Sequence, residues 1–239
     1  MPQIYLIAMS KFIRTLTIRF DTELSQKEVP LFRGAVLHAL GDRANLLYHN
    51  HTGDATFRYS YPLIQYKRIG GKAAIVCIGA GVDAIAYFFS SESYLFRIGH
   101  RTQELLIESA VSEECDMCCT SEPLHYQISN WLALNSQNYQ EYQLMEGLME
   151  RIRLLEEILT SNILSMLKGE GIEVHLEEQL VVQITELSAQ RVIKYKGVML
   201  TAFDIKFLAN INLPSWIGLG KSVSVGFGVL KKMGTKPIY

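Results

Sequence analysis

The sequence predicts an α+β protein built from two tandem ferredoxin-like domains, each with an antiparallel sheet. Each half of the chain alternates strand-like and helix-like patterns in an order close to β-α-β-β-α-β. A polar, cysteine-rich stretch at residues 113–123 separates the two halves. The 239 residues are also enough for two domains of about 100 to 120 residues. We therefore expect a first domain at residues 1–115 and a second at residues 120–239.

The first half opens with a predicted half-buried strand at residues 12–20, whose apolar residues share one parity from Phe12 to Phe20. Pro30 then stands where a helix would begin, because the first turn of a helix does not need its missing N–H. Gly70 and Gly71 predict a tight turn. The other predicted elements of this half are strands at 57–60, 63–67 and 72–78, a short helix at 82–89, and a region of strand character at 94–110.

The second half contains the strongest helical signal of the chain, between residues 141 and 168. Apolar side chains recur there at spacings of three and four, which predicts one amphipathic helix packed on a sheet. Gly169 and Gly171 end the pattern. Strands are predicted at 125–134, 179–187, 191–196, 200–211 and 226–232, so the second helix of this unit is reduced or missing.

The composition excludes several classes of protein. Hydrophobic residues make up 49% of the chain and charged residues 20%, which suffices for a packed core and excludes wholesale disorder. Four cysteines are too few for a disulfide-stapled secreted scaffold. The longest uncharged apolar run, at residues 73–82, is far shorter than the ~20 residues of a membrane helix, and no signal-peptide pattern is present. We expect a soluble, cytoplasmic protein without membrane contact.

Charge is unevenly distributed, although the net charge is only −1. Residues 1–72 carry +5, residues 73–189 carry −13 and residues 190–239 carry +7. If the two basic ends meet in space, they form a positive surface that attracts polyanions. Alternatively, blocks of like charge merely solvate separate faces. In the first case the acidic segment should face away from the polyanion. Its outward-facing carboxylates are then predicted to be Glu150, Glu156 and Glu157.

A glycine-rich loop lies near the carboxyl end, at residues 213–228, with the sequence LPSWIGLGKSVSVGFG. Glycines let a backbone approach a phosphate closely, and the lysine and serines between them supply charge and hydrogen bonds. The spacing excludes a P-loop, which would need glycine in place of Ser215. It also excludes a dinucleotide fingerprint, which would need glycine or alanine in place of Val223. The alternative is a glycine-rich hairpin that merely permits tight packing.

The run from residue 202 to 228, AFDIKFLANINLPSWIGLGKSVSVGFG, resembles the carboxyl-terminal motif of the CRISPR repeat-RNA processing endoribonucleases. These belong to the RAMP superfamily of tandem ferredoxin-like proteins. FRGAVLHAL resembles the family's first helix, and YHNHTGDATFRYS resembles its segment leading into a Phe-x-Tyr-Ser strand. The resemblance implies cleavage of CRISPR repeat RNA without a metal or cofactor, by attack of a 2′-hydroxyl that leaves a 2′,3′-cyclic phosphate. It also implies repeat RNA and other CRISPR effector subunits as partners, and a monomer or homodimer.

The same resemblance assigns the candidate catalytic residues. The family's catalytic histidine lies shortly before the Phe-x-Tyr-Ser strand, here residues 57–60, and His49 holds that place. A histidine suits proton transfer because its pKa lies near neutral pH. His51 is the second candidate, and His38 stands on the first helix beside the position where some members carry a tyrosine. The predicted RNA-binding residues are Gly218, Gly220, Lys221, Ser222, Ser224, Gly226, Gly228, Arg33 and Lys67.

Three other interpretations remain open. The chain could be a non-catalytic RNA-binding subunit of a CRISPR complex that keeps the glycine loop but does not cut. It could be a nucleotide-binding enzyme, because the turn Gly79–Ala84 fits G-x-G-x-x-A after a strand. The cysteines between Cys115 and Cys119 could hold zinc, but a structural zinc site usually needs a second pair of ligands and only His125 is near. We therefore expect no metal.

Overall fold

The computed structural model describes residues 12–40, 61–89, 95–172 and 180–234. The strands are β1 (Phe12–Glu23), β2 (Ile64–Ile69), β3 (Lys72–Ile78), β4 (Leu95–Ile98), β5 (Arg101–Glu104), β6 (Ile107–Asp116), β7 (Cys119–Trp131), β8 (Val182–Leu187), β9 (Arg191–Tyr195), β10 (Val198–Ile211) and β11 (Val229–Lys232). The helices are α1 (Val29–Leu40), α2 (Ala80–Ala84), α3 (Ala86–Phe89), α4 (Ser136–Leu144) and α5 (Leu148–Gly169).

Both large sheets have the strand order of a ferredoxin-like domain, which confirms the predicted fold class. The first sheet has the order β2-β3-β1-β6 and the second has the order β11-β7-β10-β8. All pairs in these sheets are antiparallel, and β9 pairs with the first residues of β10 beyond the second sheet. In the second half, residues 212–228 connect β10 to β11 without a helix. The predicted reduction of that helix is therefore confirmed.

Helix α1 covers one face of the first sheet. It begins at Val29, directly before Pro30, as the sequence predicts. The ring of Phe32 makes edge-on contacts with Phe20 of β1 and Tyr66 of β2, with centroids 5.9 and 5.7 Å apart. Edge-to-face aromatic pairs of this kind add to the stabilisation that burial alone supplies. This helix-on-sheet layer forms the core of the first half.

The prediction that the apolar residues of β1 from Phe12 to Phe20 lie on one buried face is only partly correct. Phe20 is fully buried, but Phe12 at the start of the strand is 63% exposed and its neighbour Ile13 is buried instead. Ile13 points to the face of the sheet opposite α1, where it joins a core cluster that consists mostly of residues from the second half. Both faces of β1 are thus covered, by different parts of the chain.

The helix predicted at residues 141–168 is two helices. Met145 follows α4 with an extended backbone at ψ 123°, and Gly147 precedes α5 with ψ 132°. Leu148 at the start of α5 is 63% exposed, whereas Leu155, about two turns further on, is fully buried in the core with the second sheet. None of the helices in the described ranges combines the length and the apolar character of a membrane-spanning segment.

The stretch at residues 113–123 is almost entirely strand. β6 runs to Asp116 and β7 starts at Cys119, so two residues connect them. The polar composition reflects exposure, since most side chains of β6 face solvent. The larger core cluster takes residues from both halves, for example Ile13 and Leu159. The division into domains at residues 115 and 120 therefore stays a prediction.

The turn at Gly79–Ala84 does not belong to a dinucleotide-binding fold, which corrects the nucleotide-binding interpretation. β3 pairs antiparallel with both of its neighbours, whereas that fold needs parallel strands joined by crossover helices. The helix after the turn, α2, has only five residues. A Cβ at Gly81 would overlap the backbone carbonyl of Leu63, so close packing accounts for this glycine.

The cysteine cluster lies at the adjoining ends of β6 and β7. Its cysteines are free thiols, and the Cys115 thiol lies 3.9 Å from the Asn212 carbonyl. Burial raises the pKa of Cys115 to about 11, which disfavours the thiolate that a metal needs. Within the ranges described above, no group of three or more His, Cys, Asp or Glu side chains is arranged to hold a metal ion.

Candidate nucleic-acid interface

The glycine-rich loop passes from the second half of the chain onto the first. On its way from β10 to β11, its Ser224 carbonyl accepts a hydrogen bond of 3.0 Å from the Tyr66 N–H of β2. Its Gly226 carbonyl accepts a hydrogen bond of 3.0 Å from the side-chain amide of Gln26. The loop therefore covers the outer edge of β2, whose backbone groups would otherwise lack a neighbouring strand.

Two of the glycines are required by close packing and by backbone conformation. Gly220 has φ +94°, and a Cβ there would lie 2.8 Å from the indole ring of Trp131. Gly228 has φ +61°, and a Cβ there would overlap the Leu219 carbonyl. Residues with a Cβ rarely adopt such positive φ values. The tight-packing alternative therefore explains these positions whether or not the loop binds a ligand.

Three of the predicted RNA-binding glycines are buried, namely Gly218, Gly226 and Gly228. The N–H of Gly228 donates to the Asn130 carbonyl at 3.0 Å, and the N–H of Gly226 donates to the Val223 carbonyl at 3.4 Å. The prediction that these glycines present their N–H groups to a phosphate is corrected for Gly226 and Gly228, because the groups are used within the protein.

The tip of the loop, residues 219–222, exposes Lys221, and Gly220 and Ser222 beside it are half-buried, as is Ser224 just beyond the tip. The Lys221 N–H donates to the Leu132 carbonyl at 3.3 Å, and Nζ donates to the Leu134 carbonyl at 2.9 Å. Partial burial lowers the pKa of Lys221. An ammonium has three donors, so one bond to a carbonyl leaves others for a phosphate.

Lys67 lies beneath the loop rather than on the surface, which corrects its predicted role in direct RNA contact. The side chain is fully buried, and Nζ donates to the Val223 carbonyl of the loop at 3.1 Å. Burial lowers the pKa of Lys67 to about 7. Alternation within β2 places Lys67 on the face opposite α1, which would meet solvent in an isolated domain. The second half covers that face here.

Arg33 lies on α1, where the structure brings it close to the second half. Its positive charge counteracts the rise in the pKa of Tyr195 that burial causes. The ring of Tyr195, in β9, contacts Phe227 of the loop with centroids 5.3 Å apart. α1, the β9–β10 hairpin and the glycine loop therefore meet at one place. Both basic segments of the sequence, residues 1–72 and 190–239, contribute to this place.

Of the three candidate catalytic histidines, the structure places only His38. It is exposed in the last turn of α1. His49 and His51 lie outside the described residues, as does the predicted strand at 57–60. Their assignment to proton transfer stays a prediction.

Two side chains that hold the loop were not predicted from the sequence. The Tyr61 hydroxyl donates to the Gly218 carbonyl at 2.9 Å, and Gln26 binds the loop as described above. Gln26 follows Ser25, whose N–H donates to Glu28 at 2.9 Å in a capping box, so the S-x-x-E pattern could have indicated its position. Tyr61 lies between the predicted strands at 57–60 and 63–67, outside the alternation of either strand, and we see no sequence signal for its contact.

The acidic side chains of α5 differ in their surroundings. Glu150 and Glu157 are exposed, as predicted. Glu156 is half-buried, and its carboxylate accepts a 2.8 Å hydrogen bond from the Ile184 N–H of β8. The prediction for Glu156 is wrong because β8 is an edge strand whose N–H takes a carboxylate as its acceptor.

Two family models together match nearly the whole chain. The model of the Cas6b N-terminal domain matches residues 11–116. The model of the Cas6b C-terminal domain matches residues 118–233 and so contains the complete glycine-rich loop.

Solved structures and a curated relative are similar to the chain. A crystal structure of Cas6b is 27% identical with a TM-score of 0.84, and the alignment covers 93% of this chain and 100% of that one. The crystal structure of the CRISPR RNA processing endoribonuclease Cas6b is 25% identical with a TM-score of 0.70, again over 93% and 100%. An uncharacterised protein of Methanocaldococcus jannaschii is 43% identical over 101 residues, which span 42% of this chain and 66% of that protein.

The packing around Gly228 predicts opposite effects for the same substitution at two glycines. Gly228→Ala should lower the free energy of unfolding by about 2 kcal/mol or more, because the new Cβ adds left-handed backbone strain to a carbonyl overlap. Gly34→Ala, in an exposed part of α1 where a Cβ meets nothing within 4 Å, should raise it by about 0.5–1 kcal/mol. Denaturant unfolding of both variants measures the difference, and equal effects would contradict the described loop conformation.

Burial of Lys67 predicts a specific pH dependence of stability. Between a folded pKa of about 7 and the ordinary value of 10.5, the unfolded chain holds a proton that the folded chain lacks. The free energy of unfolding should therefore rise with pH over this interval, by a contribution of about a few kcal/mol. Lys67→Met should remove that contribution from unfolding curves recorded between pH 7 and pH 10. The exposed Lys168→Met is the control and should keep the wild-type slope.

Proposed function

Because the chain belongs to the Cas6b family, we propose that it is an endoribonuclease that cuts CRISPR repeat RNA to release guide RNAs. Both halves match the family, and the 25% identical solved relative is described as a CRISPR RNA processing endoribonuclease. The observation that carries the proposal is the complete glycine-rich loop, whose tip exposes Lys221 beside two half-buried serines. A cation among hydroxyl donors is the chemistry that binds phosphate oxygens.

The proposed reaction needs only the RNA and the protein's own side chains. The 2′-oxygen attacks the neighbouring phosphorus, the bond from phosphorus to the 5′-oxygen breaks, and a 2′,3′-cyclic phosphate and a 5′-hydroxyl result. One group must remove the proton of the 2′-hydroxyl and another must protonate the leaving oxygen. His49 is proposed for one of these steps, with His38 or His51 for the other. A cation such as Lys221 would stabilise the charge that develops on the phosphate.

The RNA is proposed to bind where α1, the β9–β10 hairpin and the glycine loop meet. Arg33 lies at this place, and Lys194 and Lys196 belong to the hairpin. The acidic segment is proposed to face away from this place, because its carboxylates would repel the phosphates of the RNA. Other CRISPR effector subunits, and the choice between monomer and homodimer, remain proposals from the family resemblance.

The alternative is a non-catalytic subunit that binds repeat RNA without cutting it. Incubation of the protein with repeat RNA in the presence of EDTA separates the two functions. An endoribonuclease of the proposed mechanism yields a 5′ fragment that ends in a 2′,3′-cyclic phosphate. Binding without any product would favour the non-catalytic subunit, and cutting that stops in EDTA would contradict metal-independent cleavage.

Replacement of the candidate catalytic histidine should reduce the rate of cutting and leave binding intact. Well-placed proton-transfer groups typically contribute about 10²–10⁴-fold. His49→Ala should slow single-turnover cleavage at saturating RNA by about that factor, whereas RNA affinity should change little, because a neutral imidazole adds little to phosphate binding. A substrate with hydrogen in place of the 2′-hydroxyl at the scissile nucleotide should not be cut at all.

The controls for this experiment are His51→Ala and His38→Ala. A large effect of His38→Ala beside that of His49→Ala would identify His38 as the second proton-transfer group. If His51→Ala is inactive and His49→Ala cuts at the wild-type rate, the proton-transfer role belongs to His51 rather than His49. Unchanged cleavage in all three variants would contradict histidine-based proton transfer.

The loop tip predicts a salt-dependent contribution to RNA binding. Each phosphate contact made by a cation adds roughly 0.7–0.9 to the slope of log affinity against log salt concentration. Lys221→Ala should weaken repeat-RNA binding and reduce that slope by about this amount. The matched control is Lys168→Ala on the exposed end of α5, which should keep both values. An unchanged slope for Lys221→Ala would remove the loop tip from the RNA path.

A further inference from the structure

The tip of the glycine loop, residues 219–222, is held at both ends by side chains of the other half of the chain. At one end, the Tyr61 hydroxyl donates to the Gly218 carbonyl at 2.9 Å. At the other end, Lys67 Nζ donates to the Val223 carbonyl at 3.1 Å. Both donors come from the first half, whereas the tip belongs to the second half.

We propose that Tyr61 and Lys67 are positioning residues that hold the loop tip in the shape that binds RNA, without touching the RNA themselves. The inference rests on the proposed function. It adds that RNA affinity depends on a hydrogen-bonded clamp between the two halves of the molecule. The ligand concerned is the phosphate backbone of the repeat RNA at the tip.

The position of the Lys67 side chain is fixed by the packing around it. Its side chain is fully buried, and a Cβ at Gly218 would lie 2.5 Å from the Val223 Cβ and 2.8 Å from Lys67 Nζ. The first glycine of the loop thus leaves room for both partners of the Lys67–Val223 hydrogen bond. Both an ammonium and a neutral amine donate to a carbonyl, so the bond to Val223 persists on either side of the lowered pKa of Lys67.

Tyr61 is equally constrained. A Cβ at Gly169 would overlap the Tyr61 side chain, so the end of α5 packs directly against it. Burial raises the pKa of Tyr61 well above its ordinary value. The phenol therefore stays neutral at every physiological pH and remains a hydrogen-bond donor.

The second half holds the tip from the opposite side. The Lys221 N–H and Nζ donate to the carbonyls of Leu132 and Leu134. The tip is thus held by two hydrogen bonds from the first half and two from Lys221 to the second half. Backbone hydrogen bonds within the loop, from the Leu219 N–H to the Gly228 carbonyl and from the Val225 N–H to the Ser222 carbonyl, add to them. Removal of a donor from the first half leaves a carbonyl without its partner, and the tip relaxes towards solvent. The loop tip then places Lys221 against the RNA phosphate in a smaller fraction of its conformations, and RNA affinity falls.

The test uses the full chain and repeat RNA that carries a 2′-deoxy nucleotide at the scissile position, so that binding is measured without cutting. Lys67→Met keeps an unbranched side chain of similar length, and Tyr61→Phe removes a single oxygen. Each should weaken RNA binding by about three- to tenfold, the range expected for one hydrogen bond. Single-turnover cleavage at subsaturating unmodified RNA should fall by at least the same factor, because Lys221 contacts the phosphate less often in these variants. The matched controls Lys168→Met and Tyr139→Phe, both at exposed positions, should leave affinity and rate unchanged.

The decisive measurement combines these variants with Lys221→Ala. If Tyr61 and Lys67 act through the tip, neither substitution weakens RNA binding further once Lys221 is absent. A purely structural role would lower affinity by the same factor in both backgrounds, and that result would overturn the proposal. Wild-type affinity in Lys67→Met and Tyr61→Phe would overturn it as well. If Lys67→Met does not fold, Tyr61→Phe alone decides by the same criteria.

Failure of the inference can be told from failure of the proposed function. Wild-type protein that neither binds nor cuts repeat RNA contradicts the function itself. The clamp alone is contradicted if the wild-type protein binds and cuts repeat RNA and Lys221→Ala binds it more weakly, while Tyr61→Phe and Lys67→Met bind it with wild-type affinity.

Discussion

In a ferredoxin-like domain the helices cover one face of the sheet, so the other face of the first sheet is open to solvent unless another part of the chain covers it. The second half of the chain covers it. Ile13 of β1 and Val76 of β3 lie on that face and are buried in the core cluster that α5 also joins. Because the cover comes from outside the domain, polar residues that alternation places on this face become buried too. Gln65 bonds the Pro62 carbonyl at 2.9 Å, and Lys67 bonds the loop.

The glycine loop completes this cover and protects the edge of the first sheet. Where a second helix would lie in the second half, an irregular segment follows β2 at hydrogen-bonding distance. A backbone that approaches another backbone and the Trp131 indole so closely has no room for side chains at Gly220 and Gly228. The same packing leaves Lys221 as the exposed residue of the loop. Close packing therefore accounts for these two glycines, and the proposed RNA contact falls to Lys221 and its neighbours.

Exposed ion pairs contribute little to the stability of this fold. Ion pairs such as Arg14–Asp83 and Lys206–Glu186 are exposed, and exposed pairs typically contribute at most about 1 kcal/mol. The distribution of charge matters more for a polyanion, because a cation near the loop raises the local concentration of phosphate. Glu156 shows that one residue of an acidic block can still serve the fold, since it accepts the backbone N–H of Ile184.

The sequence by itself determined the α+β class, most of the strands, the missing second helix and the glycine motif, because periodicity, turn residues and motif spacing are local properties. It also indicated the family, through the run from residue 202 to 228. Only the tertiary structure decided that Phe12 is exposed, that Lys67 is buried and that Tyr61 holds the loop. Each of these depends on which distant segment covers a given face. Alternation along β2 can say that Lys67 points away from α1, but the partner that meets it there, Val223, is brought to it only by the packing of the two halves.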